Sequence, residues 1–251
     1  MRQIDPERLL QRIVTRRLCY SVEYLDLSSP EMRKKWAIEC FASQDDTCFA
    51  VVWKHPGWSM VNFIGYEKNF CKALLSRFKT TNVAFAVPPG EALPKIHIRG
   101  LKPKRSFAYE SFSCETPAPE APVDPHIRLL AKKEYDLVRP IVKQKEDLND
   151  ECMVQAWLED DVALGYISYS LYENMADSWD VSYIQVSPKH RGRGIGSALA
   201  YAYLKNIREQ GLVPYYSGVS NPASAAAARK AGFQLCCTKY AFNYKRPKFI
   251  L

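Results

Sequence analysis

The chain has 251 residues, of which 47% are hydrophobic and 25% charged, and it carries a net charge of +8. That length exceeds the usual single-domain size and predicts two domains, and the composition suits a globular protein able to bury a core. No apolar run approaches a membrane span and the opening "MRQIDPERLLQRIVTRR" lacks an export signal's apolar stretch, so no membrane partner and a cytoplasmic location are expected.

Eight cysteines without an export signal read as reduced thiols. None falls in a C-x-x-C pair and the four histidines are scattered, so no metal is expected. The first 125 residues hold 18 basic and 14 acidic side chains and the rest hold 17 and 13, so neither half is a basic arm. A mildly basic globule favours an anionic ligand. With no recognition-helix motif and no aromatic-basic strand pattern, nucleic acid is not an expected partner.

In chain order, Asp5-Pro6 signals a helix through about Arg17, and Ser29-Pro30 repeats the signal ahead of "EMRKKWAIECFA". "CFAVVWK" and "SMVNFIG" read as strands joined by "HPGW", "YEKNFCKALLSRF" as a helix and "NVAFAVP" as a strand. Trp53, Trp58 and Tyr66 fit either a core or a pocket. The proline-rich stretch around residues 115–125 reads as a semi-rigid linker, dividing the chain into 1–114, an α/β domain, and 126–251.

Beyond the linker, "IRLLA" is a strand and "KKEYDLVRPIVKQ" a helix interrupted by Pro140. "CMVQAWLEDDVALGYISYSLY" is a hairpin and "SWDVSYIQV" a strand. "GIGSALAYAYLKNIREQG" is a helix and "LVPYYSGV" a strand. A short helix capped by Asn221-Pro222 precedes the closing strand "FQLCCTKYAFNY".

The strand ending at Val186 turns into a helix through "KHRGRGIG", where glycines at 192, 194 and 196 meet Lys189, His190, Arg191 and Arg193. A helix start leaves N–H groups unpaired and adds partial positive charge, and glycine admits close approach, so the turn suits a diphosphate. Gly196 is followed by Ser197 with no lysine between, which fails the Walker pattern. The third glycine comes one residue too early for a dinucleotide fingerprint. Tightening of the strand–helix corner alone is the competing explanation.

The pattern Arg191-x-x-Gly194-x-Gly196 resembles the acetyl-CoA-binding motif (Q/R)-x-x-G-x-(G/A) of the GNAT N-acetyltransferase superfamily, and "NPASAAAARKAGF" resembles its second signature. The resemblance covers about residues 126–245. It implies a mixed, mostly antiparallel α/β sheet flanked by helices, preceded by the smaller α/β domain. It also implies acetyl-CoA, or another acyl-CoA, as cosubstrate and an amine as acceptor; a front half covering the acceptor side would favour a small-molecule amine over a protein tail. The oligomeric state stays open, a dimer included.

By that resemblance, amides of Arg191, Gly192, Arg193, Gly194, Ile195, Gly196 and Ser197 would cradle the diphosphate. Ile184 and Val186 would present backbone groups to the acyl carbonyl and pantetheine from a splayed strand, and Asn221 would bond the pantetheine arm. The position of the family's acidic residue falls on Asp180, read as alternating with Ser182 and Ile184 on one strand face. Asp180 would take a proton from the amine through water. Where many relatives carry a tyrosine that protonates the leaving thiolate, this chain has Ala228. Ser224, one turn earlier, is the candidate acid, with Cys236 and Tyr240 as alternatives. Serine with alanine at these places resembles the FR47-like, glycine N-acyltransferase-like branch. Trp157, Tyr166, Tyr169 and Trp179 are candidates for an acceptor pocket, with half-buried strand packing as the alternative. Transfer of an acetyl group to a primary amine is the expected activity; a catalytically idle acyl-CoA-binding module is the alternative.

Overall fold

The computed structural model describes residues 1–93, 95–114, 120–143, 148, 151–171 and 177–245. Residues 115–119 of the expected linker therefore lie outside the described residues. The chain forms two units, Met1–Glu110 with Cys236–Leu251, and Ser111–Leu235.

The first unit opens with β1 (Arg2–Ile4) and α1 (Pro6–Ile13), whose Asp5 cap accepts a bond from Glu7 N–H at 2.7 Å. Helices α2 (Ser21–Ser28) and α3 (Pro30–Lys35) follow. The helix expected to run through "ECFA" stops at Lys35 because Ala37 takes a positive φ of 41°, and β2 (Glu39–Ala42) begins in its place. Then come β3 (Phe49–His55), β4 (Trp58–Ile64), α4 (Lys68–Arg77), β5 (Thr80–Val87) and β6 (Leu101–Ser113), which ends in the second unit. Strand β12 (Gln234–Tyr244), expected to close the second domain, pairs antiparallel with β5 from Thr238 to Asn243. The order is β1-β2-β3-β4-β5-β12-β6, and β4–β5 are parallel. Trp53 is buried, its indole N–H bonded to Asp26 at 2.6 Å, whereas Trp58 and Tyr66 are half-buried.

The second unit contains β7 (Ile127–Leu130), β8 (Met153–Glu159), β9 (Val162–Leu171) and β10 (Ser178–Val186), followed by α5 (Ile195–Glu209), β11 (Val213–Val219) and α6 (Pro222–Lys230). Its order is β7-β8-β9-β10-β11, antiparallel except for β10–β11, with the end of β6 beside β11. The helix expected over "KKEYDLVRPIVKQ" is instead two short 3-10 turns, Lys132–Leu137 and Arg139–Ile141, because Pro140 lacks the N–H that an α-helix would use.

One face of this sheet packs against α5 and α6 through Ile167, Tyr169, Leu199, Tyr203 and Phe233. The opposite face packs Val138, Val154 and Tyr166. Trp157, Tyr166 and Tyr169 are buried in these layers. Gly165 sets the height of α5: a Cβ there would lie 2.9 Å from Ile195 Cγ2 and 3.1 Å from Leu199 Cδ1. Only a residue without a side chain lets the first turns of the helix rest on β9.

Candidate active site

Strands β10 and β11 pair only from Ser178 to Asp180 and from Val213 to Tyr215, then separate although both continue. Separation leaves main-chain groups without sheet partners, and buried ones must find others. At the fork, side chains supply two. The buried Tyr203 hydroxyl donates to the Trp179 carbonyl and accepts from Tyr215 N–H at 3.1 Å. The Asp180 carboxylate accepts from Ser217 N–H at 3.0 Å and from the Ser217 hydroxyl at 2.6 Å.

The fork opens into a cavity of about 790 Å³, a size suited to a cofactor-sized ligand. Val181–Val186 of β10 and Tyr216–Val219 of β11 form its walls, with the turn before α5 and the first turns of α6 closing it. Helix α5 starts at Gly194 with φ 85°, without a side-chain cap and without an acidic residue in its first turn. Its first amides are free to bind an anion and carry the helix's partial positive charge. By contrast, Asn221 Oδ1 accepts from Ala223 N–H at 2.9 Å and caps α6 itself.

The surroundings are cationic. Lys143, Arg191 and Lys230 line the cavity, with the His190 ring among them. Arg193 instead turns to Glu159 at 2.7 Å and holds that carboxyl below its usual range.

Burial shifts three groups at the fork upward, Asp180, Tyr216 and Tyr203. Burial raises Asp180 to about 7, against the opposing hydrogen bonds from Ser217. Burial likewise pushes the Tyr216 phenol up to about 12, partly offset by its bond to Ser224 and reinforced by the Asp180 charge.

Ten residues expected at the site line this cavity: Ile184, Val186, Arg191, Gly192, Gly194, Ile195, Gly196, Ser197, Asn221 and Ser224. Asp180 lies behind Ser217 and Arg193 points to Glu159, so neither is among the lining residues. The pairing of β10 with β9 shifts register between Val181 and Tyr183, so the alternation expected to carry Asp180, Ser182 and Ile184 on one face is interrupted. None of Trp157, Tyr166, Tyr169 and Trp179 lines the cavity. Ala228 is fully buried in the apolar cluster, and Cys236 and Tyr240 belong to the first unit.

Sequence reasoning passed over Lys143, Lys230, Tyr216 and Ser217. The signal for the last two was their place: "YSG", residues 216–218, follows the last paired residue of a parallel strand, where hydroxyls face a gap rather than a neighbouring strand. Among the described residues no cluster of His, Cys, Asp or Glu is placed to hold a metal, and no helix is long and apolar enough to cross a membrane.

Comparison with known proteins agrees with this geometry. Residues 109–233 match the acetyltransferase (GNAT) family model. A search of curated proteins returns no match. Among solved structures, a GNAT-family acetyltransferase from Colwellia psychrerythraea is 14% identical, with 83% of this chain and 86% of that one covered at a TM-score of 0.53. A GCN5-related N-acetyltransferase from Sphaerobacter thermophilus is 13% identical, with 88% and 87% covered and the same TM-score of 0.53. At such identities the likeness speaks for the fold, and the fold is the mixed, mostly antiparallel one expected. Through residues 109–233, the chain belongs to the GNAT acetyltransferase superfamily.

Proposed function

We propose that the protein is an N-acetyltransferase that moves an acetyl group from acetyl-CoA to a primary amine of a small molecule, directly and within a ternary complex. The observation that carries this reading is the meeting of a splayed strand pair with an uncapped, glycine-started helix in one cavity. A splayed pair offers main-chain groups to an extended pantetheine arm, and the helix start offers amides to a diphosphate. Lys143, Arg191 and Lys230 add the charge an anionic nucleotide requires.

In this reading the amides of Arg191–Ser197 hold the diphosphate, Ile184 and Val186 present backbone groups to the acyl and pantetheine portions, and Asn221 bonds the arm. An amine is mostly protonated at neutral pH, so attack needs a base. Asp180, with its carboxyl raised to about 7, is that base, and the hydroxyl of Ser217 carries the proton between them. Ser224 on α6 faces the leaving sulfur. Serine here with Ala228 at the family's tyrosine position supports placement in the FR47-like, glycine N-acyltransferase-like branch.

One observation favours an idle acyl-CoA-binding module instead: α6 brings no phenol to the cavity, because position 228 is alanine and faces the core. Calorimetry of acetyl-CoA beside thiol release with a panel of primary amines and amino acids separates the two. Binding with amine-dependent release supports the transferase. Binding without release by any amine assigns the idle module, and no binding removes both.

A further inference from the structure

The charge that develops on the leaving sulfur needs a hydrogen-bond donor, and α6 alone does not provide a phenol. We propose that a hydroxyl pair, Tyr216 on β11 backing Ser224 on α6, is the hydrogen-bond donor to the departing CoA sulfur. This inference rests on the acyl-CoA reading and identifies the group that completes it.

Tyr216 is the first residue of β11 beyond the paired stretch, so it stands at the mouth of the fork. Its hydroxyl lies 2.7 Å from Ser224 Oγ, and both residues line the cavity. The ring itself is only 4% exposed and meets Phe233 edge-on, with centroids 6.1 Å apart. Packing therefore fixes where the phenol points, at no cost in ordering during the reaction. Ala228 belongs to the same buried cluster as Tyr216. The phenol that many relatives carry on the helix is here supplied from the neighbouring strand and passed on through a serine.

The chemistry divides the work. An aliphatic hydroxyl alone is a poor donor, and a phenol donating to it makes its proton more available, as hydrogen bonds in a chain polarise one another. A phenol raised by burial stays protonated across neutral pH, so the donor is always armed. The C–N bond forms, the C–S bond breaks, and its electron pair goes to sulfur. The amine proton passes through Ser217 to Asp180. Sulfur charge is held by the Ser224 O–H, itself held by Tyr216. The proton taken up at Asp180 is released to solvent in the open cleft, and the thiolate takes a proton from the same solvent, so the net transfer is from amine to thiol. Ser224 touches the reacting atom; Tyr216 is the positioning residue behind it.

The test reads the thiol directly and does not require the acceptor. Calorimetry first establishes that CoA binds to wild type, Tyr216→Phe and Ser224→Ala. Thiolate absorbance of bound CoA is then followed against pH, with desulfo-CoA as the blank. In the wild type the bound thiol should titrate below the ~8.5 of an ordinary thiol. Tyr216→Phe keeps the ring and the fold and should raise it by roughly one unit, as should Ser224→Ala. The double variant should shift it no further than Ser224→Ala alone, since the two act in series. With an amine found active, Tyr216→Phe should lower kcat and leave KM unchanged. Failure of CoA to bind would sink the acyl-CoA reading itself. Binding with the same thiol titration in wild type and Tyr216→Phe would overturn the donor pair while leaving that reading intact.

Discussion

At Asp180, burial and hydrogen bonding pull in opposite directions, and burial wins: the carboxyl sits near 7 although Ser217 donates to it twice. In the role proposed for it, as base, it must be ionised. The rate should rise with pH, about tenfold per unit below pH 7, and level off above it. Asp180→Asn should lower kcat by roughly a hundredfold or more, abolish that limb and leave acetyl-CoA affinity unchanged. The same shift has a stability consequence. The folded value stands above the ordinary 3.8, so between these values the folded state keeps a proton that the unfolded chain has lost. Its contribution is complete below about pH 4 and is lost as pH rises through about 7. The melting temperature of Asp180→Asn should therefore gain on the wild type across that window; a constant difference would contradict the raised carboxyl. Asp180 was legible in the sequence as an acid inside an apolar strand. Its tie to Ser217 was not, because that contact depends on two strands diverging 37 residues apart in the chain.

Among the elements, α5 decides the site, and two glycines of different kinds place it. Gly165 on β9 is needed for clearance, since any Cβ would collide with Ile195. Gly194 is needed for its backbone, since φ 85° strains a side chain even where space is open. Gly165→Ala should push back the start of α5, lowering both the melting temperature and acetyl-CoA affinity. Gly194→Val should weaken binding with a stability loss of about 1–2 kcal/mol. Gly196→Ala should bind nearly as wild type, because its Cβ would make only ordinary contacts at 3.7 Å with Val186 and 3.9 Å with Ala227. Calorimetry and thermal melts of the three variants check this order. Tyr203→Phe should cost about 1–3 kcal/mol in the same melts, since it removes a buried hydroxyl that bonds the Trp179 carbonyl and the Tyr215 amide. The glycine turn and its helix were readable because periodicity and local composition specify them. The fork was expected only by family likeness, since strand divergence leaves no local pattern. Where a single residue redirected the backbone, as at Ala37 and Pro140, the apolar period alone misjudged the element.

Across the whole chain, the two units repeat one order. In each, an edge strand and helical turns precede three antiparallel strands, a helix and a strand parallel to the last of the three. The first unit is closed where the second is open. Strands β4 and β5 stay paired from Ser59 to Ile64, leaving no fork. Helix α4 is capped by Glu67, whose oxygens accept from Asn69 and Phe70 N–H at 2.7 Å each, so its start is already filled by an anion. One acetyl-CoA per chain is the expected stoichiometry. Glu67→Ala should lower stability by about 1 kcal/mol without creating a second site. The repeat was hidden in the sequence because the first unit keeps the apolar pattern of the fold but has only Gly65 and Lys68 at the corresponding turn, in place of three glycines and a basic run. The division at the proline-rich stretch also left β12 with the wrong neighbours: strand pairing, not chain proximity, assigns its residues from Cys236 onward to the first unit.

The most direct measurement is amide hydrogen exchange with and without acetyl-CoA, resolved over residues 191–198 and 67–70. Ligand-dependent slowing is expected at the glycine turn that opens α5 and none at the Glu67-capped start of α4. Equal exchange in the turn with saturating acetyl-CoA present and absent would contradict it.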